Sequence, residues 1–264
     1  MKIALLTHAR AAKGAAVAAA LAACAVKVDL MVCEEPRVAP TGDRMRQLLL
    51  ERGLRGVVEK FLPAKDRGGA AGATAPHDAG APPADAATTL DAAGYAARFG
   101  IPLLHLPDLA SLAALDRLRA AQIDLMIHAG AGILRQPLLD IPRLGVLNAH
   151  MGVLPRYRGM NVAEWAAWEG GAIGATLHWI DPGIDTGRII RIVEVARDGL
   201  TSVAALRAAV DTAQRAALAE LVAEIVATGK APPDAPQRAE DGRQYFTMHP
   251  QIRNLLDQCL AQSR

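Results

Sequence analysis

Lys2-Ile3-Ala4-Leu5-Leu6-Thr7 is a short, nearly unbroken aliphatic run, and the alanine-rich stretch 11–23 after it reads as a helix. A run of this length with no polar alternation fits a strand buried on both faces. The pattern recurs. Strands are predicted at 2–7, 27–33, 102–106, 123–128, 145–148, 175–180 and 189–195, and helices at 11–23, 43–52, 108–121, 162–169 and 202–227. Aliphatic strands alternating with longer helical patterns are the pattern of crossover connections, so the expected fold is α/β, an open doubly wound, mostly parallel sheet of Rossmann-like form.

Composition agrees with that architecture. The 264 residues are 52% hydrophobic, 21% charged and only 3% aromatic, enough apolar material for a sizeable core. With 29 basic and 27 acidic side chains the formal net charge is +2, which argues against a dedicated nucleic-acid surface, and so few aromatics make a poor stacking platform for single strands. Cys24, Cys33 and Cys259 form no C-x-x-C pair, the simplest account being a reduced, cytoplasmic protein. No signal peptide is recognised, and no uncharged run is long enough to span a bilayer, so no membrane partner is expected.

Two composition shifts divide the chain. Residues 65–93 are rich in Ala, Gly, Pro and Asp with almost no large apolar side chain, and are expected to form a flexible surface loop, with a lid as the functional alternative. Ala231-Pro232-Pro233-Asp234-Ala235-Pro236 then closes the last long helix. The expected organisation is a catalytic domain over 1–235 and a short C-terminal tail over 236–264.

The chemistry concentrates in two stretches. In Leu147-Asn148-Ala149-His150, Asn148 and His150 lie two apart at the end of a predicted strand, so an extended backbone projects both to one side. An amide donor beside an imidazole suits a carbonyl reaction that passes through an oxyanion, although two polar residues ending a strand is the plainer reading. In Trp179-Ile180-Asp181-Pro182-Gly183-Ile184-Asp185-Thr186-Gly187 a strand runs into a Pro-Gly turn and an acidic loop. Asp181 can initiate the turn. Asp185 can orient His150 or simply cap the loop.

Together these stretches resemble the folate-dependent formyltransferase family. The resemblance is carried by Asn148-Ala149-His150, Leu154-Pro155, Tyr157-Arg158-Gly159, Trp165, Gly174-Ala175-Thr176-Leu177-His178 and Asp185-Thr186-Gly187 in order and spacing, strongest over 123–190. Gly242-Arg243-Gln244-Tyr245-Phe246 and Met248-His249-Pro250 look like the tail of some amino-sugar-type members. The resemblance implies a 10-formyltetrahydrofolate donor and a triad of Asn148, His150 and Asp185. It also implies folate binding along Ala129-Gly130-Ala131-Gly132-Ile133-Leu134, with Gly130, Gly132, Ile133 and Leu134 as contacts, and along the 181–185 loop, with Asp181 and Ile184. Read without it, 129–132 is equally a tight strand-to-helix connection. His178 falls on a family position near the site, a packed strand histidine being the alternative. The other histidines, His128 among them, lack metal-ligand spacing, and no metal is expected. Many relatives carry serine two residues after the histidine, where this chain has Gly152, a departure that bears on substrate handling.

Among acceptors, the glycine-poor loop Thr7-His8-Ala9-Arg10-Ala11-Ala12-Lys13-Gly14 disfavours a ribonucleotide phosphate, and the short tail and balanced charge disfavour tRNA. The expected partner is a small-molecule amine: an amino sugar, an amino acid derivative or a specialised metabolite. A 10-formyltetrahydrofolate hydrolase and a non-catalytic folate-binding protein are the alternatives. A homo-oligomer is compatible with the sequence.

Overall fold

The computed structural model describes residues 1–8, 11–34 and 90–262. In chain order it contains β1 (Ile3–His8), α1 (Ala12–Ala23), β2 (Leu30–Glu34), α2 (Ala92–Phe99), β3 (Leu103–Leu106), α3 (Leu112–Ala120), β4 (Leu125–His128), β5 (Gly145–His150), β6 (Tyr157–Gly159), α4 (Val162–Trp168), β7 (Gly174–Trp179), β8 (Ile189–Glu194), α5 (Val203–Thr228), β9 (Arg243–Tyr245) and α6 (Pro250–Gln262). A seven-stranded sheet runs in the order β3-β2-β1-β4-β5-β7-β8. Its first five strands are parallel, and β7 and β8 each run antiparallel to the strand before them. The expected mostly parallel α/β sheet is therefore present, and chain direction reverses only beyond β5.

Alternation along each strand builds two cores. In β1, Ile3 and Leu5 enter one apolar cluster while Ala4 and Leu6 enter the other. In β4, Leu125 and Ile127 oppose Met126 in the same way. The first cluster is covered by Val17 and Leu21 of α1 and by Leu218, Val222 and Ile225 of α5, the second by Leu115 and Leu118 of α3. Both sheet faces are thus dry, which is why the strands lack polar alternation. Cys33 lies in this core, and its burial pushes the thiol up to about 11. The strand order reverses between β1 and β4, the position at which open α/β sheets hold ligands. The hydroxyl of Thr7 bridges that gap, donating to the Ala129 carbonyl at 2.9 Å.

Several expectations shift. Helix 43–52 and loop residues 65–89 lie outside the described residues. The last part of the 65–93 segment is not loop: Asp91 accepts a hydrogen bond from the Gly94 amide at 2.8 Å and caps α2, whose Ala92, Tyr95 and Ala96 are buried. That i, i+3, i+4 stripe is short and alanine-rich, so composition alone hid it. The segment after Pro236 is also structured. Its β9 pairs in parallel with β6, and Asp257 on α6 accepts the Val203 amide at 2.7 Å in the first turn of α5. Gly159 makes the β6 pairing feasible, because at its φ of 98° a side chain would strike the Tyr245 carbonyl.

Gly14 on α1 packs directly on β1: a Cβ there would lie 2.8 Å from Thr7 Cγ2. Gly14→Ala is expected to lower stability by about 1–3 kcal/mol, the usual cost of overpacking, measured as a lower urea midpoint with an unchanged slope.

Candidate active site

Register places the polar residues. β5 pairs with β4 so that Asn148 lies opposite His128, and with β7 so that Asn148 lies opposite His178 and His150 opposite Thr176. Along β5, Val146, Asn148 and His150 share a face by the two-residue period, and Val146 anchors that face in the second core. The strand extends through His150, so the extended backbone assumed from the sequence holds where the two side chains need it.

His150 is buried. Its Nε2 donates to the Tyr157 carbonyl at 2.7 Å, and its Nδ1 lies 3.4 Å from Asp185 Oδ1. Because a carbonyl only accepts, Nε2 carries the hydrogen and Nδ1 is the nitrogen offered to the carboxylate. The same Asp185 oxygen is 3.7 Å from His178 Nε2, while Oδ2 accepts the Gly159 amide at 2.9 Å. The structure thus brings Asn148, His150 and Asp185 together around His178. Gly152 has a steric reason: a Cβ there would lie 2.8 Å from Val162 Cγ2, 2.9 Å from the Tyr157 carbonyl and 3.0 Å from His150 Nε2. The space a serine would use is taken by the ring and its carbonyl partner.

The loop carrying Asp185 is tied down by residues that sequence reasoning did not single out. Gln237 donates to the carbonyls of Asp185 at 3.0 Å and Gly187 at 2.6 Å, and its own oxygen accepts from Arg158 Nε and Nη2 at 3.2 and 3.1 Å. Arg158 stood inside a quoted motif. Gln237 lies beyond the Pro-rich break, where nothing local marks it. Thr176 likewise pins the turn after β5, donating to the Gly152 carbonyl and accepting the Leu154 amide. Asp181 accepts from the Gly183 amide at 3.1 Å and the Thr186 hydroxyl at 2.6 Å, which is what a turn-initiating residue does.

After β4, Gly130 takes a left-handed φ of 88°, the Gly132 amide donates to Glu34 Oε2 at 3.2 Å, Ile133 is 71% exposed and Leu134 is buried. No helix follows directly; the next helical element is the 3-10 turn Leu138–Asp140. Burial dominates the ring chemistry here. It pushes His178 down to about 4, with the neighbouring His150 acting in the same sense and Asp185 opposing. His128 is also held below its ordinary range by burial and by Lys13.

The family profile described as formyl transferase matches residues 92–222, about half of the chain and the part that carries this constellation. The chain belongs to the formyl transferase family. Among curated proteins it is similar to the methionyl-tRNA formyltransferase of Paraburkholderia phytofirmans, 37% identical over 148 residues, covering 52% of this chain and 44% of that protein. It is also similar to that of Parabacteroides distasonis, 39% identical over 98 residues, covering 37% and 30%. The chain thus aligns with less than half the length of each. Among solved structures, glycinamide ribonucleotide transformylase 1 from Symbiobacterium toebii has a TM-score of 0.57 at 20% identity, covering 90% of this chain and 94% of that one. A sugar N-formyltransferase from Shewanella sp. FDAARGOS_354 has 0.55 at 13%, covering 100% and 89%. These two likenesses establish the formyl transferase fold. No described helix is long and apolar enough to cross a membrane.

Two outcomes follow from the geometry. Between pH 6.5 and about 4 the unfolded chain protonates His178 and the folded chain does not, so stability should fall as pH falls through that window. His178→Gln should flatten this acid limb in urea titrations run across the same pH range. Gln237→Ala removes the side-chain acceptor of buried Arg158, leaving it only the Arg238 and Ala239 carbonyls, and removes both side-chain hydrogen bonds to the backbone of the Asp185 loop. Its turnover should drop by about tenfold to a hundredfold, the scale of a misplaced catalytic group, with the donor KM nearly unchanged.

Proposed function

We propose that this protein transfers a formyl group from 10-formyltetrahydrofolate to the amine of a small-molecule acceptor. The single observation that carries the reading is the convergence of Asn148, His150 and Asp185, with His150 Nδ1 facing the carboxylate and the Asn148 amide one strand position away on the same face. The residues after β4 fit a planar donor: Ile133 presents an exposed apolar side chain beside buried Leu134, at the reversal of strand order. Gly130, Gly132, Ile133 and Leu134, with Asp181 and Ile184 of the facing loop, would hold it. When bound, such a donor supplies an electrophilic formyl carbon.

The chain's own groups then divide the work. The Asn148 amide donates a hydrogen bond to the oxyanion that develops as an amine attacks. His150 stands beside it as proton donor or acceptor, oriented by the Tyr157 carbonyl on one nitrogen and Asp185 on the other. Asp185 sits against both rings and positions His150 rather than touching the reacting carbon. Residues 1–235 carry all of these groups, and the 236–264 segment acts as a brace through Gln237 and β9.

The acceptor is read as small because the near-balance of 29 basic against 27 acidic residues offers little net attraction for a polyanion such as tRNA. Incubating the protein with 10-formyltetrahydrofolate and a panel of amino sugars, amino acids and aminoacyl-tRNA tests this. A formylated small amine is expected. Formate released without an amine would instead make it a hydrolase, and a formylated aminoacyl-tRNA would overturn the acceptor class. Asn148→Ala and His150→Ala should each lower turnover by about a hundredfold to a thousandfold, the usual cost of losing one oxyanion donor, with folding intact by circular dichroism. Near-wild-type turnover in folded His150→Ala would remove it from the mechanism.

A further inference from the structure

His128 belongs to neither the triad nor any motif read from the sequence, yet it faces Asn148 from the strand opposite His178. The three side chains form one line. His178 Nδ1 contacts the Trp179 carbonyl at 2.8 Å, and His178 Nε2 lies 3.1 Å from Asn148 Nδ2. Asn148 Oδ1 lies 3.2 Å from His128 Nδ1, and His128 Nε2 contacts the Ala131 carbonyl at 2.7 Å.

Hydrogens can be counted along this line. Both ends are carbonyls, which only accept, so His178 Nδ1 and His128 Nε2 must each carry a hydrogen. If both rings are neutral, the two nitrogens facing Asn148 are bare. The amide offers them one N–H edge and one oxygen, so it can serve one ring, while the other meets the amide oxygen lone pair to lone pair. Rotating the amide by 180° exchanges the rings and leaves the mismatch. One added proton completes all four hydrogen bonds. A second would set two ring N–H groups against an amide with a single accepting edge, leaving the His178 Nε2 hydrogen only Asp185 Oδ1 at 3.7 Å, beyond hydrogen-bond distance.

We propose that His128, Asn148 and His178 form a chain built to hold one shared proton, and that His128 is the positioning residue which, when it carries that proton, holds the Asn148 N–H edge toward His178 and the reacting carbonyl. The proposal rests on the formyl-transfer reading for its role in catalysis, but the proton count stands on the free protein.

The surrounding charges set when the proton is taken up. On the His128 side, Lys13 of α1 lies against Gly130 and opposes a positive ring, while Glu34 at the end of β2 sits on the Gly132 amide. On the His178 side, Asp185 and Asp181 favour a positive ring and His150 opposes it. Burial disfavours a positive charge on either ring in the free protein. An oxyanion beside Asn148 adds negative charge to the line and favours the shared proton. Attack by the acceptor forms a C–N bond and breaks the bond from the formyl carbon to the donor nitrogen. One proton passes from the acceptor nitrogen to the donor nitrogen by way of His150, so none is consumed, and the shared proton of the chain stays between His128 and Asn148 throughout.

Histidine side-chain 15N NMR on the free protein, titrated over the pH range in which it stays folded, tests the count. In the wild type the His128–His178 pair should take up one proton and resist a second. In Asn148→Ala the two rings should titrate independently and take up two. Two doubly protonated rings in the folded wild type would overturn the chain. Kinetics test the positioning role. His128→Leu should lower kcat by about tenfold or more while leaving the donor KM within about twofold, as expected of a misoriented group rather than a lost binding contact. His128→Gln, whose amide can donate to Asn148 Oδ1 without titrating, should recover most of that loss and shift the pH profile of kcat. Equal losses in both variants with an unchanged pH profile would reduce His128 to a packing residue. Absence of turnover by the wild type on every amine would count against formyl transfer alone, since the NMR titration decides the chain by itself.

Discussion

One strand with two unlike neighbours sets the geometry of this molecule. β5 pairs in parallel with β4 on one side and antiparallel with β7 on the other, and the two registers meet at Asn148. A slip of one residue in either pairing would turn the partner histidine to the opposite face and into the apolar cluster of α1 and α5. The dry packing of Ile127, Leu147 and Leu177 in that cluster therefore holds the polar row on the other face in place. Core burial and site geometry are two faces of the same strands.

The second requirement is a carboxylate close to two imidazoles in a poorly hydrated place. Asp185 meets it at a backbone φ of 53°, a left-handed conformation that aspartate tolerates better than most residues but that still needs support. Support comes from the Gly159 amide on one side-chain oxygen and from Gln237 on the backbone carbonyl, with Gln237 fixed in turn by buried Arg158. The loop is held by segments on both sides of it in sequence, residues 158–159 before it and Gln237 after it. The C-terminal segment contributes through this contact, through β9 against β6 and through the cap that Asp257 places on α5. Trp165 of α4 joins the same brace by donating to the Phe246 carbonyl at 2.8 Å.

Buried rings give the site its electrostatic character. Burial disfavours a positive charge on His178 and His128, and Asp185 lies at one end of their row. Such an environment strengthens the hydrogen bonds within the row, because a partly buried place screens them less than water does.

Much was legible in the sequence because it depends on short-range periodicity. Unbroken aliphatic runs gave the buried strands, and the two-residue spacing of Asn148 and His150 placed both side chains on one face before any partner was known. The helix expected over 202–227 is the 26-residue α5, Val203–Thr228, within one residue at either end. What the sequence could not provide were relations between distant segments. The short helix α2 escaped because alanine carries little periodic signal, and the 236–264 segment looked like a mere tail because β9 exists only by pairing with β6. His128 read as one more strand histidine, since nothing local reveals that it faces Asn148 across a strand boundary. Gln237 was invisible for the same reason. Periodicity decides which face a side chain takes, whereas the register between strands and the closure of long loops, set by packing across the whole core, decide which side chains meet.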